Sequence, residues 1–367
     1  METAVTAALV LGVDSGGSGL RVRLARVAVG AGEPATGTEL GTLQSRTPVR
    51  TGDGGIDADH LLELLLPMAR GLLERAGGGE PAALAVGAAG MATLGARLRA
   101  ELPGALERSL GVRRLALASD SVTAYAGALG QRPGVVVAAG TGLIAMGTEL
   151  TRWRRADGWG HLLGDCGGGA WIGRAGLEAA LRAHDGRAGG SPALLAAVEE
   201  RFGSAREVPG ALYPRQDRPA VLAAFAPSVA RCAGAGDAVS TAILGRAAGH
   251  IAEAAEAVCP RDEPERGAAA APGGGGSAGT ADGVAVALTG GLVKLGEPLL
   301  VPLEAELTRR LPSARRVAAA GDPLAGAVVV AEALATGTLR LPRDPFLLHL
   351  PGEPGSPVGP VGPVDAE

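Results

Sequence analysis

The first half of the chain alternates short apolar runs with longer segments of helical period. An apolar run at residues 8–13 and an alternating run at 20–29 predict two strands joined through DSGGSG as a β-hairpin. Helical spacing predicts helices over 56–76, 94–110 and 121–129, and apolar runs predict strands at 82–87, 115–119 and 134–139. Hairpin, helix, strand, helix, strand, helix and strand in this order predict an α/β fold with helices covering a mixed sheet.

The second half repeats this theme. A strand is predicted at 284–288, and helices are predicted at 172–184, 192–200, 219–233, 238–259, 298–311 and 323–335. In both halves strands end in glycine turns, which suggests duplicated domains around a central cleft. The low-complexity segment 261–283 is predicted to be a flexible insertion, and the Pro- and Gly-rich tail 351–367 is predicted to be disordered.

Composition narrows the class of protein. With 367 residues, 47% of them hydrophobic and a net charge of −4, the chain has material for a core and does not resemble a disordered protein. The weak acidic balance gives no electrostatic footprint for nucleic acid or an anionic membrane. The three scattered cysteines form no metal-ligand pair, no secretory leader is visible, and no apolar stretch approaches the roughly 18 residues of a membrane span. We therefore expect a soluble, cytoplasmic protein with no nucleic-acid or membrane partner.

Two glycine turns are candidates for phosphate binding. The first, LGVDSGGSG, lacks the spacing and following helix of a dinucleotide fingerprint. A hairpin of bare backbone N–H groups can wrap the terminal phosphates of ATP, and Asp14 beside it can hold Mg²⁺, often through water. The second is AAGTG, with Gly140, Thr141 and Gly142 after a strand. Each motif alone also fits an ordinary turn, but the pair is what a clamp on a triphosphate requires.

Asp120 lies between a predicted strand and a predicted helix in LASDSVTAYAGA. An aspartate there is a favourable helix N-cap. The same carboxylate could instead act as a general base at the mouth of a cleft. The local sequence leaves both interpretations open.

The segment GWGHLLGDCGGGAWIG is the most specific feature of the chain. Trp159, Asp165 and Trp171 lie among seven glycines between Gly158 and Gly173, directly before an amphipathic helix. A solvent-exposed linker is a poor explanation, because tryptophan is seldom left there. A polar ligand would use Asp165 as a hydroxyl acceptor and a tryptophan face against its ring.

These motifs occur in the order found in the N-acetylglucosamine kinase family, which this chain resembles over roughly residues 9–335. That family belongs to the actin-like ATPase and sugar kinase superfamily and includes the activator ATPases of acyl-CoA dehydratases. The resemblance implies an α/β fold of two ribonuclease-H-like domains closing on a cleft, with ATP inside and the sugar beside it. It implies an N-terminal lobe of residues 1–131 with about 323–345, on the sugar and phosphate side, and a nucleotide lobe of residues 132–322.

The resemblance also implies a role for each motif residue. Asp120 would be the catalytic base and touch the sugar, and Asp14 would hold the Mg²⁺ of ATP. The remaining roles are a first phosphate loop of Asp14, Gly16, Gly17 and Ser18, a second of Gly140, Thr141 and Gly142, an adenosine loop of Gly290 and Gly291, and sugar contacts from Gly158, Trp159 and Asp165. The expected cofactors are ATP and Mg²⁺, the expected partner is a small-molecule sugar, and the chain would be a monomer or homodimer.

Two departures from the family fall on the sugar side. Cys166 stands where N-acetylglucosamine kinases usually have Glu, and the segment TPVRTG at 47–52 lacks their sugar-binding Asn. The form DCGGGAWIGR looks like that of related glucosamine kinases. The predicted activity is therefore ATP-dependent phosphorylation of the 6-hydroxyl of glucosamine. The alternatives are an N-acetylglucosamine kinase, an activator ATPase, and a non-catalytic sugar- or ATP-binding regulator.

Overall fold

The computed structural model describes residues 6–17, 19–29, 37–52, 55–260 and 283–352. Ser18, nearly all of the predicted insertion 261–283 and nearly all of the predicted tail lie outside these residues. The strands, numbered along the chain, are β1 Thr6–Gly16, β2 Gly19–Val29, β3 Thr38–Ser45, β4 Thr51–Gly52, β5 Gly55–Ile56, β6 Ala83–Ala88, β7 Leu115–Ser119, β8 Gly134–Ala139, β9 Leu143–Thr148, β10 Trp153–Asp157, β11 Ala285–Thr289, β12 Arg315–Ala318 and β13 Leu348–His349.

The helices cover the faces of two sheets. They are α1 Ala58–Arg75, α2 Met91–Leu94, α3 Ala96–Leu110, α4 Asp120–Leu129, α5 Gly169–His184, α6 Pro192–Phe202, α7 Val208–Leu212, α8 Arg218–Ala223, α9 Ala226–Gly234, α10 Ala238–Val258, α11 Glu297–Arg310 and α12 Pro323–Thr336. No helix among the described residues is long and apolar enough to cross a bilayer.

The chain divides into two compact units. Unit 1 takes its described residues from Met1–Arg132, Leu150–Trp153 and Ala319–Glu367, and unit 2 from Pro133–Glu149 and Arg154–Ala318. Each unit has its own hydrophobic core. The lobe limits drawn from the sequence, and the roles given to the two lobes, stay predictions.

Unit 1 is built on a six-stranded sheet in the order β13-β7-β6-β1-β2-β3. β1 and β2 form the predicted hairpin, and β6 and β7 run parallel to β1. Alternate residues of β1 face opposite sides of this sheet, so Leu11 and Val13 enter the core under α1 and α3. Gly12 and Asp14 lie on the side of α12, where the missing side chain of Gly12 lets Val328 approach: a Cβ there would lie 2.6 Å from its Cγ2.

Unit 2 repeats the same plan. Its five-stranded sheet has the order β10-β9-β8-β11-β12, with β8 antiparallel to β9 and parallel to β11. The sheet order β10-β9-β8-β11-β12 thus corresponds strand for strand to β3-β2-β1-β6-β7 of unit 1, with the same antiparallel first hairpin (β8 and β9, as β1 and β2) and the same parallel strands after it (β11 and β12, as β6 and β7). The predicted α/β fold class with two ribonuclease-H-like domains is confirmed.

Several local predictions need correction. The predicted helix 94–110 is α3, which begins two residues later, at Ala96; Leu94 belongs to the short helix α2, which Gly95 separates from α3. The predicted helix 219–233 is two helices, α8 and α9, which meet at the fully buried Phe225, and Pro227 is in the first turn of the second. No strand was predicted for β3, β9, β10 or β12, nor for the two-residue strands β4, β5 and β13.

Candidate functional site

The first glycine turn is a tight hairpin that presents Asp14. Gly16 pairs with Gly19, and Ser18 lies outside the described residues. Leaving out their neighbours in the chain, no described heavy atom lies within 4 Å of the position that a Cβ would take on Gly16 or Gly17. The backbone of these two glycines is therefore open to a ligand that needs N–H donors.

Asp14 is held by an arginine that the sequence analysis missed. Arg21 stands directly opposite Asp14 in the hairpin. Its Nε and Nη2 donate to Asp14 Oδ2 at 3.0 and 2.7 Å, while its Nη1 donates to Asp322 Oδ2 at 2.5 Å. The other oxygen of Asp322 accepts from the backbone N–H of Ala325 at 2.9 Å and so caps the start of α12.

Opposing influences act on the pKa values of this group. Partial burial lowers the pKa of Arg21, but the hydrogen bonds and charges of Asp14 and Asp322 outweigh it and raise that pKa above its ordinary value. Burial raises the pKa of Asp322, but the Ala325 amide and Arg21 outweigh it and hold that pKa below its ordinary value. The Arg21–Asp322 pair is therefore charged at neutral pH.

Asp120 is the first residue of α4 and is exposed, but it is not the N-cap. The cap is Ser119, whose hydroxyl accepts from the backbone N–H of Val122 at 3.3 Å. Asp120 Oδ1 accepts from the neighbouring Ser121 amide at 2.9 Å. The prediction that Asp120 is the N-cap is wrong: the carboxylate lies in the first turn of α4 instead.

Asp14 and Asp120 belong to one edge of the unit 1 sheet. In the register of the parallel strands, Ser15 lies beside Ala88, and Ala88 lies beside Ser119. Neighbouring strands are about 4.8 Å apart, so two positions separated by one strand are roughly 10 Å apart. This spacing is that of the backbone at Ser15 and Ser119, so Asp14 and Asp120 come from the same edge of the sheet, on strands two positions apart.

The second glycine turn, in unit 2, joins β8 to β9 and is packed on the start of α5. The amides of Gly169 and Ala170 donate to the carbonyl oxygens of Gly140 and Thr141, at 2.9 and 2.8 Å. In a trans peptide the N–H points opposite to the C=O, and the structure has no cis peptide among its described residues. The N–H groups of Thr141 and Gly142 therefore point away from the helix, as donors to a phosphate require.

This packing explains the three consecutive glycines of DCGGGAW. A Cβ on Gly168 would lie 2.7 Å from the carbonyl carbon of Gly142, and one on Gly169 would lie 2.7 Å from the Gly140 oxygen. Gly167 has a positive φ of 87° and approaches the Ala247 oxygen in the same way. Only glycine allows the loop to lie this close to the turn.

Two aspartates fix the glycine-rich loop before α5. Both have a positive φ, 62° for Asp157 and 55° for Asp165, a conformation that aspartate tolerates better than most residues. The carboxylate of Asp157 accepts from the amides of Asp165 and Cys166 at 2.5 and 2.9 Å. The carboxylate of Asp165 accepts from the Gly160 amide at 3.1 Å, which closes the loop from the other side.

Asp165 itself lies against the phosphate turn. A Cβ on Gly142 would lie within van der Waals overlap of Asp165 Oδ2, so the two residues are in direct contact. Burial raises the pKa of this carboxyl, although hydrogen bonds from the backbone of Gly160 and Leu143 lower it. The structure therefore gives Asp165 a role in ordering the turn, and its contact with a sugar hydroxyl stays a prediction.

Trp159 is at the exposed tip of this loop. The side chain of Trp159 is 65% exposed, and those of Leu162 and Leu163 are 80% and 87% exposed. Arg155 lies over the indole at 4.7 Å and donates to the carbonyl oxygen of Gly158, so one face of the ring is covered. Gly158 contributes a positive φ of 76° at the start of the loop.

The predicted adenosine loop follows β11. Gly290 has a φ of 97°, and a Cβ there would lie 2.4 Å from the Ala139 oxygen of the neighbouring strand β8. Gly290 and Gly291 are exposed. Both belong to unit 2, as do Gly140, Thr141, Gly142, Gly158, Trp159 and Asp165.

No resident metal centre is visible in the described part of the chain, where no three His, Cys, Asp or Glu side chains are grouped as ligands. Mg²⁺ in a phosphoryl-transfer site needs less, since it keeps several waters and is held by one or two carboxylates together with the phosphates. Asp14 supplies such a carboxylate. The donor set fits a cation that arrives with the nucleotide.

Sequence reasoning missed Arg21, Asp157 and Asp322. The predicted hairpin assigned Asp14 to its turn, so it did not pair Asp14 with Arg21; in the structure the strand pairing continues to Gly16 and Gly19 and sets these two residues opposite each other. The segment GDPLAG, with Asp before Pro at a helix start, is a capping signal for Asp322. Nothing in the sequence indicated that Asp157 binds the loop amides.

Two ribonuclease-H-like units with the same strand order, each carrying a glycine turn at its first hairpin, define the class of actin-like ATPases and sugar kinases. The chain belongs to the BadF/BadG/BcrA/BcrD ATPase family, whose model matches residues 11–331. The relationship inferred from the motifs is confirmed.

Solved structures and a curated relative agree with this assignment. The chain is similar to a candidate N-acetylglucosamine kinase from Chromobacterium violaceum, with 29% identity and a TM-score of 0.63 over 89% of this chain and 99% of the other. A second candidate N-acetylglucosamine kinase, from Porphyromonas gingivalis, shares the fold at 16% identity and a TM-score of 0.58, over 90% of this chain and 99% of the other. An N-acetylmuramic acid/N-acetylglucosamine kinase from Clostridium acetobutylicum is 40% identical over 82 residues, which is 22% of this chain and 27% of that kinase.

Proposed function

We propose that this protein is an ATP-dependent amino-sugar kinase that phosphorylates the 6-hydroxyl of glucosamine. The observation that carries the kinase assignment is the pair of glycine turns, one open beside Asp14 and one hydrogen-bonded so that its N–H groups point outward. The similarity to a candidate N-acetylglucosamine kinase over 89% of the chain supports an amino sugar as the acceptor.

The chemistry assigns a separate task to each residue. Phosphoryl transfer depends mainly on positioning and on neutralising charge. The bond from the sugar O6 to the γ-phosphorus forms while the bond from that phosphorus to the β,γ-bridging oxygen breaks, and ADP leaves. Asp120 accepts the O6 proton, and the N–H groups of Thr141 and Gly142 hold phosphate oxygens. Asp14, together with the phosphates, would hold Mg²⁺, which would supply charge neutralisation when bound.

The choice of glucosamine rests on the sugar-side departures. At position 166, where N-acetylglucosamine kinases usually have a carboxylate, this chain has a partly buried thiol, and burial raises its pKa. A neutral thiol cannot replace the hydrogen-bond acceptors of Glu. N-acetylglucosamine is the second candidate, favoured by the kinases to which the chain is similar.

A coupled ADP-release assay with glucosamine, N-acetylglucosamine, N-acetylmuramic acid and glucose as acceptors tests both the kinase assignment and the choice of sugar. We expect the largest kcat/KM for glucosamine. A larger kcat/KM for N-acetylglucosamine would overturn the choice of sugar and leave the kinase assignment standing. Absence of sugar-dependent ADP release with every amino sugar would overturn the kinase assignment itself.

A further inference from the structure

Asp14, Arg21 and Asp322 form a hydrogen-bonded group of three side chains, whereas the proposed reaction uses only the carboxylate of Asp14. Three N–H groups of one guanidinium are distributed over two carboxylates that are 301 and 7 residues away along the chain. Arg21 is on β2, Asp14 on β1 and Asp322 at the start of α12, so the arginine joins three elements of unit 1.

The two carboxylate oxygens of Asp14 are not equivalent. Oδ2 accepts hydrogen bonds from two N–H groups of Arg21, and these two bonds occupy both lone pairs of that oxygen. Among the described residues, none donates to Oδ1. The carboxylate is therefore held by one oxygen, in a side chain that is only 16% exposed, and presents the other.

Asp322 keeps Arg21 in this position. A guanidinium is planar and rigid, so binding one edge of it to a fixed partner sets the direction of the remaining N–H groups. Asp322 is itself fixed, because its second oxygen accepts from the Ala325 amide at 2.9 Å. The start of α12 therefore fixes Asp322, Asp322 fixes the guanidinium of Arg21, and the guanidinium fixes the orientation of the Asp14 carboxylate.

We propose that Arg21, anchored by Asp322, is a positioning residue that fixes Asp14 with Oδ1 free for the cation of the bound nucleotide. The inference rests on the proposed function only in that the nucleotide is bound with a cation. Arg21 then increases the affinity for the nucleotide when Mg²⁺ is present, and has little effect on the affinity for the nucleotide without Mg²⁺.

The test measures nucleotide binding by isothermal titration calorimetry, without sugar. AMP-PNP is titrated with excess Mg²⁺ and, separately, with EDTA, and the ratio of the two dissociation constants is the Mg²⁺ enhancement. We expect Arg21→Met to lower this enhancement about tenfold, the loss typical of one charge-assisted contact, while the affinity in EDTA changes less than about threefold. Arg21→Lys should not restore it, because one ammonium cannot reproduce the planar fork.

The control is Arg23→Met. Arg23 lies on the same strand and pairs with Glu39 and Thr42 instead of Asp14, so the enhancement should be unchanged. Asp322→Asn is the milder variant should Arg21→Met fold poorly. It keeps the helix cap and weakens only the anchor, and we expect a partial loss of the enhancement.

Three results would overturn the inference. An equal loss of affinity with and without Mg²⁺ would mean that Arg21 touches the phosphates directly. A lower melting temperature with unchanged enhancement, in Arg21→Met or in Asp322→Asn, would mean a structural role only. No Mg²⁺ enhancement in the unmodified protein would leave no cation to position. Failure of the sugar-kinase proposal is recognised separately, because it appears only in the sugar-dependent ADP-release assay.

Discussion

Replacing Asp120 with Asn removes a negative charge and leaves the shape of the side chain almost unchanged. The structure limits the effect of this change on folding. The N-cap of α4 is Ser119 and is not altered, and an Asn oxygen can still accept from the Ser121 amide, as Asp120 does at 2.9 Å. The change also removes a favourable charge from the first turn of a helix, which is worth about 0.3–1 kcal/mol at an exposed position.

The expected effect on catalysis is larger. General-base catalysis contributes typically about 10²–10⁴-fold, and a 100-fold loss corresponds to about 2.7 kcal/mol in the barrier. The two magnitudes are separate enough to be measured independently. Asp120→Asn should melt near the unmodified protein, bind sugar in calorimetry, and turn over at least about 100-fold more slowly at saturating ATP and glucosamine.

Ser119→Ala is the matched control: it changes the same helix start, but it should lower stability and leave kcat nearly unchanged. It removes the cap and the hydroxyl that lies 2.7 Å from Ser121 Oγ, at a cost of about 0.5–2 kcal/mol. Each kcal/mol should lower the melting temperature of unit 1, which contains Ser119, by about 2–4 °C, with kcat close to that of the unmodified protein well below the melting point. Near-normal turnover in Asp120→Asn, or a loss of turnover in both variants in proportion to their stability, would refute the role of Asp120 as base.

Two further predictions concern packing and pH. Gly168→Ala should lower nucleotide affinity and should lower the free energy of unfolding by about 1–3 kcal/mol, because its Cβ would overlap Gly142. The control is Gly249→Ala in α10, where the position of the Cβ is open and the change should stabilise the protein by up to about 1 kcal/mol. Equal shifts in melting temperature for the two variants would contradict the packing argument. Burial raises the pKa of Glu332, against the lowering effect of its hydrogen bond from the Gly37 amide, so its contribution is most favourable below the ordinary pKa and is lost as pH rises through the raised value. Glu332→Gln keeps an acceptor for that amide, so its melting temperature relative to the unmodified protein should increase as the pH is raised from about 4 to 7, and a difference that is constant with pH would count against this assignment.

The fold was predictable where the hydrophobic period was long and the turn chemistry was local. The hairpin of β1 and β2 followed from alternation on both sides of a glycine turn. β3 and β12 were missed because most of their residues are exposed or half-buried and carry no apolar alternation. A break such as the one between α8 and α9 is set by the burial of Phe225 in the core, which a helical period does not contain.

For the candidate site, motifs identified the residues and the structure identified their partners. The sequence singled out Asp165, but its contact with Gly142 depends on a loop conformation that requires three glycines and the carboxylate of Asp157. Asp120 shows the converse. Its position between strand and helix was read correctly, yet the cap belongs to the residue before it, a difference of one position that local pattern does not resolve.

The hydrogen bonds between the second glycine turn and α5 have a consequence for electronic polarisation. The carbonyl oxygen of each turn peptide accepts a hydrogen bond from an amide at the start of α5, and the N–H group of the same peptide points to the opposite side. An anion bound at those N–H groups would therefore polarise the turn peptides in the same direction as the helix amides do. The partial positive charge at the start of α5 is thereby carried one peptide beyond the helix. A bound phosphate would in turn strengthen the bonds made by Gly169 and Ala170. The exchange of those two amide protons with solvent should therefore slow on nucleotide binding, although both N–H groups donate to the turn carbonyls and not outward.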